Sequence, residues 1–132
     1  MSKLVFIFII LISSMAKAEF FSNISNIIEN NYDRLSYGVS VTDFDKDGSF
    51  EFIVAGFGYS NLALSYKNGK LINTIQNDLF LDKNRRTIGV SACDIDQDGF
   101  EEIYFLNTDT YSGEKKYSDR LLDNKNKIFD YF

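Results

Sequence analysis

The chain contains no histidine, no proline and no tryptophan, and it has a single cysteine among 132 residues. Without histidine there is no imidazole to serve as a general base near neutral pH, and no His-ligated zinc. One cysteine, Cys93, excludes an internal disulfide. Lacking a histidine to activate it, Cys93 reads as a small buried hydrophobe beside Asp94. The missing proline leaves every candidate strand uninterrupted. Positive charge is scarce as well: 14 Lys and Arg face 19 Asp and Glu, for a net charge of −5 and no basic stripe. That balance argues against nucleic acid or anionic membrane surfaces as partners.

What is present describes one small core-forming domain. Hydrophobic residues make up 45% of the chain and aromatics 16%, far from the composition of a disordered segment. The eight Tyr and thirteen Phe are read as core packing rather than a binding cage. Residues 1–18 have the form of a secretory signal peptide. Lys3 opens it, Leu4–Ile12 is its apolar centre, and Ala16-Lys17-Ala18 is the small-residue cleavage signal. A membrane-spanning helix needs about 20 apolar residues, roughly twice this run. Cleavage after Ala18 predicts a secreted, extracellular chain without membrane insertion, and takes the net charge from −5 to −7.

One pattern is written twice. The stretch Asp43-Phe44-Asp45-Lys46-Asp47-Gly48-Ser49-Phe50-Glu51 returns as Asp94-Ile95-Asp96-Gln97-Asp98-Gly99-Phe100-Glu101-Glu102, 51 residues later. Gly-Val-Ser precedes both copies, at Gly38 and at Gly89. A period near fifty is the signature of propeller blades or a similar array. Carboxylates at positions 1, 3 and 5 converge on one point and repel unless a cation lies between them. Oxygen ligands on a loop suit Ca²⁺, which takes 6–8 oxygens at about 2.3–2.6 Å. Glycine at position 6 allows the turn that aims the position-7 carbonyl, from Ser49 or Phe100, at the ion. The candidate metal ligands are therefore Asp43, Asp45, Asp47, Ser49 and Glu51, then Asp94, Asp96, Asp98, Phe100 and Glu102. The closing Glu stands at position 9, not at 12 as in an EF-hand, and the flanks are strand-like. A lone acidic turn would be unremarkable, since Asp and Gly favour turns. Two copies with the same closing Glu point to a strand–calcium loop–strand unit.

The expected fold is all-β: two four-stranded antiparallel blades of an incomplete β-propeller, behind a signal-peptide helix. Residues 19–37 form a lead-in, 38–88 the first blade and 89–132 the second. The lead-in is ambiguous: Phe20, Phe21, Ile24, Ile27 and Ile28 fit one helical face, or Phe20–Ile24 is a strand. It carries a glycosylation sequon at Asn23. In the first blade the strands are Val39–Thr42, Phe52–Phe57, Leu62–Tyr66 and Lys70–Ile75, with Asn68-Gly69 as the last hairpin turn. A polar connector, 76–86, leads to the second blade. There the strands are Val90–Cys93, Ile103–Leu106, Tyr117–Leu122 and Ile128–Phe132, with a turn over 123–127. Two blades fall short of the about 4–8 that close a ring, so a longer protein is expected and the second blade should expose its apolar side.

At Tyr37–Gly48, Asn61–Tyr66, Ile88–Gly99, Glu101–Thr108 and Tyr117–Leu121 the sequence resembles the FG-GAP/VCBS repeat of integrin-α-like β-propellers. That resemblance implies an extracellular, non-enzymatic protein whose blade loops hold calcium through Asp43, Asp45, Asp47 and Glu51, and through Asp94, Asp96, Asp98 and Glu102. Full-length members carry further blades and other modules. The leading functional reading is thus a secreted calcium-binding propeller segment that meets an extracellular or cell-surface protein. A metal-dependent hydrolase is the alternative, weakened because both acidic clusters occupy equivalent turns and no catalytic partner lies near. A truncated chain without independent function is the third.

Overall fold

A computed structural model describes residues 20–108, 116–125 and 128–131. The expected signal peptide, 1–18, lies outside these residues. Among the described residues, no helix is long and apolar enough to cross a membrane.

Two antiparallel four-stranded sheets follow each other along the chain. The first runs β1 (Val39–Thr42), β2 (Glu51–Val54), β3 (Leu62–Lys67) and β4 (Lys70–Asn73), each strand beside the next. The second repeats that order with β5 (Thr87–Cys93), β6 (Glu102–Asn107), β7 (Arg120–Lys125) and β8 (Ile128–Tyr131). The acidic loops are the β1–β2 and β5–β6 connections, as the repeat predicts. Asn68 and Gly69 both take positive φ, 52° and 82°, and close the β3–β4 hairpin with Lys67 opposite Lys70.

Alternation along the strands decides which faces meet. In the second sheet Ile103, Phe105 and Leu122 point inward, with Val90 and Ala92 packed against them. They meet Phe44, Ile53, Ala63 and Ile75 of the first repeat. Register shows that the same positions of the first sheet, Val39, Val41 and Phe52, lie on its opposite face. There they are 60%, 54% and 38% exposed. The stacking is translational: one face of the second sheet is covered by the other face of the first. Apolar surface therefore lies open on both outer faces, at Val39, Val41 and Phe52 of the first sheet as well as at Tyr104 and Leu106 of the second, where it was expected. The outer side of the second sheet carries exposed Ser91 and Cys93 beside Tyr104. Cys93, expected to be buried, points to solvent because it alternates with core-facing Ala92 and so shares the outer face with Ser91.

Several segments differ from the sequence reading. The connector is not merely polar: α1 (Asp78–Leu81) forms there, with the Asn77 side chain accepting from Phe80 N–H at 3.1 Å. Phe80 is fully buried between the sheets and meets Phe105 edge to face, 5.4 Å between centroids. The third strand of the second sheet is Arg120–Lys125, so 123–125 is strand rather than turn. Asn124 pulls it inward: its fully buried Nδ2 donates to the Phe44 carbonyl of the first loop at 2.6 Å. The second and fourth strands of the first sheet also stop early, at Val54 and Asn73.

The lead-in is neither an amphipathic helix nor a full strand. It makes one 3-10 turn, Ser25–Ile27, then a single parallel bridge from Ile28 to Leu71 beside β4. Phe20, Phe21 and Ile24 are exposed, which leaves no buried helical face. Asn23 is exposed too, its side-chain oxygen accepting from Ser25 N–H at 2.9 Å.

Candidate metal centre

Both acidic loops fold by the same local rules. In the first, Gly48 N–H donates to Asp43 Oδ2 at 3.1 Å, Asp47 N–H to Asp45 Oδ1 at 3.2 Å, and Ser49 N–H to Asp47 Oδ1 at 2.8 Å. In the second, Gly99 N–H donates to Asp94 Oδ2 at 3.0 Å, Asp98 N–H to Asp96 Oδ1 at 3.0 Å, and Phe100 N–H to Asp98 Oδ1 at 2.8 Å. Each Asp thus spends one oxygen fixing the backbone, in the manner of an Asx turn. The turn needs left-handed backbone twice, at Lys46 and Gly48 and again at Gln97 and Gly99. At the glycines φ is +85° and +91°, where a Cβ is strained.

Asp43, Asp45 and Glu51 each present a carboxylate oxygen within 4.8 Å of the others, and Asp94, Asp96 and Glu102 repeat that group. Position 5 stands apart. Asp47 and Asp98 are exposed, and their placed role is to hold the Ser49 and Phe100 amides. Ser49 and Phe100 enter the geometry through those N–H groups.

The closing glutamates are the unusual residues. Glu51 and Glu102 are each 1% exposed, placed there because they open β2 and β6 opposite Thr42 and Cys93. Among the described residues, neither oxygen of Glu51 has a hydrogen-bond partner, nor has Glu102 Oε1, Asp43 Oδ1 or Asp94 Oδ1. Buried polar atoms are nearly always satisfied, and a carboxylate left bare costs several kcal/mol. Burial, then the charges of Asp45 and Asp47, push the Glu51 carboxyl up to about 7. The Ser65 hydroxyl, itself 3.0 Å from Thr74 Oγ1, opposes that shift. Glu102 differs in one respect: its Oε2 accepts from Ile95 N–H at 2.6 Å.

These residues fit a hard divalent cation. All the donors are oxygens, each cluster has oxygens with no other partner, and a dication would replace the missing hydrogen bonds with ion contacts. Calcium accepts this donor set more readily than magnesium, which demands near-ideal octahedral geometry. Asp43, Asp45 and Glu51 would hold one ion and Asp94, Asp96 and Glu102 the other.

Asp82, at the C-terminus of α1, was not singled out by spacing. Buried and αL, it pairs with Arg85 at 2.9 Å and Arg120 at 3.3 Å. Burial raises its carboxyl and the two guanidinium groups oppose the shift. It ties α1 to β7 and is a structural latch.

Stacked four-stranded sheets with an acidic loop between the first two strands define a repeat class, and the FG-GAP-like repeat family matches residues 21–105. The chain belongs to that family. Within it, the chain is similar to cartilage acidic protein 1. It is 40% identical to the Homo sapiens protein over 131 residues, covering 89% of this chain and 20% of that protein. It is 45% identical to the Xenopus tropicalis protein over 107 residues, covering 74% of this chain and 16% of that protein. The chain thus spans one-fifth or less of these relatives.

Proposed function

We propose that the chain is a two-blade segment of an extracellular calcium-binding β-propeller. It carries out no reaction. Calcium staples the strands of each blade, and the stapled loops shape a surface for an extracellular or cell-surface protein. The observation that carries the reading is the pair of buried glutamates with bare oxygens, each closing a cluster of aspartates at the same place in its repeat. The similarity to cartilage acidic protein 1 and the signal-peptide pattern support an extracellular setting. There calcium is millimolar, and even a site with Kd of about 10⁻⁴ M is filled.

At free calcium about twenty times Kd, each site contributes about 1.8 kcal/mol to folding. Thermal melts followed by circular dichroism, in millimolar calcium and in excess chelator, should therefore differ by about 10 °C or more for two sites. Magnesium should give a smaller gain. Coincident melts with and without chelator would rule the staple out.

A further inference from the structure

The two acidic loops touch each other. Thr42, which precedes Asp43 and lies opposite Glu51 in the β1–β2 ladder, donates its hydroxyl proton to Glu101 Oε2. Glu101 in turn precedes Glu102, the closing residue of the second cluster. One side-chain hydrogen bond thus joins the neighbours of the ligands on both sides, and Thr42 is 1% exposed. A second link comes from Lys46, between Asp45 and Asp47. Its Nζ lies 4.1 Å from the centroid of the Phe100 ring, at position 7 of the other loop. It also occupies the space above Gly99, where an added Cβ would lie 2.5 Å from Nζ.

We propose that the two loops take up calcium cooperatively, with Thr42 and Lys46 of the first loop and Phe100 and Glu101 of the second as the positioning residues that link them. This inference rests on the reading of both clusters as calcium sites. The sign follows from the order in which the loops are fixed. An ion in the second loop holds Glu102, and with it Glu101 and Phe100, the platform on which Thr42 and Lys46 rest. The first loop then closes against an ordered neighbour, so part of its ordering cost has already been met. Charge works against this, since each dication lowers the negative potential felt by the next. That term is screened beyond about 8 Å at physiological salt, whereas packing and hydrogen-bond contacts are not. The ammonium of Lys46, placed between two acidic loops, softens it further. Coupling is reciprocal: either ion aids the other by the same factor.

The test is calorimetric titration of calcium into the full chain, with the single-site variants Asp96→Asn and Asp45→Asn and the link variant Thr42→Val/Lys46→Gln. Each single-site variant should take up one ion. The product of their two dissociation constants should exceed the wild-type product by at least about fivefold, the lower end of ordinary coupling. The excess should persist in 0.5 M KCl and fall below about twofold when measured in the link-variant background. If Asp96→Asn does not fold in chelator, Asp45→Asn compared with the wild type reads the same coupling from the other side. Products that agree within twofold overturn the inference while leaving the calcium reading intact. An excess that survives in the link variant overturns the assignment to these residues. A wild-type chain that takes up no calcium at millimolar concentration overturns both.

Discussion

Replacing Glu51 by glutamine isolates the cost of burying a carboxylate in the first loop. The folded chain holds the Glu51 proton up to about pH 7, while the unfolded chain releases it near the ordinary value of 4.5. Between those limits the folded state binds more protons, so metal-free stability falls as pH rises through the window. The full shift corresponds to at most about 3.4 kcal/mol at 1.36 kcal/mol per pH unit. Glu51 is buried by area but its loop is surrounded by exposed residues, and solvent screening reduces this to about 2 kcal/mol. In chelator at pH 8, Glu51→Gln should therefore melt about 6–12 °C above the wild type. At pH 4, where both side chains are neutral, the gap should close. Calcium should reverse the order, because the neutral amide offers one oxygen and no charge and is a weaker ligand than the carboxylate. Melts by circular dichroism at pH 4, 6 and 8, with and without calcium, check each point. A metal-free variant no more stable than the wild type at pH 8, or a gap that does not shrink on acidification, would refute the reasoning.

Two further substitutions test the packing between the sheets. Phe80→Ala removes a fully buried ring from its edge-to-face contact with Phe105 and should cost about 3–5 kcal/mol, read as a lower urea midpoint. A midpoint shift below about 1 kcal/mol would show that α1 does not brace the core. Asn61→Ala leaves the Gly56 N–H and the Phe80 carbonyl without their partners at 2.8 and 3.0 Å. Its cost should be about 2–4 kcal/mol, and Asn61→Asp should cost at least as much at neutral pH, because it keeps the acceptor but buries a charge against the Phe80 carbonyl. Equal midpoints for Asn61→Ala and the wild type would count against that bridge.

The parts of the fold written in local chemistry were legible in the chain. Alternating aspartates before a glycine, a glutamate at position 9 and the Asn68-Gly69 turn each act within a few residues, and each stands where its spacing places it. What was hidden depends on distant neighbours. Asp78-Leu79-Phe80-Leu81 is too short to show a helical period, so nothing local reveals that Phe80 fills the space between the sheets. Asp123 and Asn124 look like turn residues, yet Asn124 is buried by a carbonyl 80 positions away. Cys93 was misjudged for a related reason: a two-residue period cannot by itself say which face is covered. The carboxylates at position 5 show the limit at the site. Spacing puts Asp47 and Asp98 on a par with their neighbours, whereas the carboxylates grouped within 4.8 Å are Asp43, Asp45 and Glu51 in one loop and Asp94, Asp96 and Glu102 in the other.

Gly48 and Gly99 hold the same rank in the two copies of the motif but answer to different constraints. A side chain at position 48 would enter open space, whereas one at 99 would strike the end of Lys46. Asparagine, which tolerates the left-handed backbone, thus fits at 48 without any rearrangement, whereas at 99 the flexible end of Lys46 must swing aside and give up its place over the Phe100 ring. The two copies are therefore not interchangeable parts: the vacancy beside one glycine is, beside the other, the berth of its neighbour's lysine.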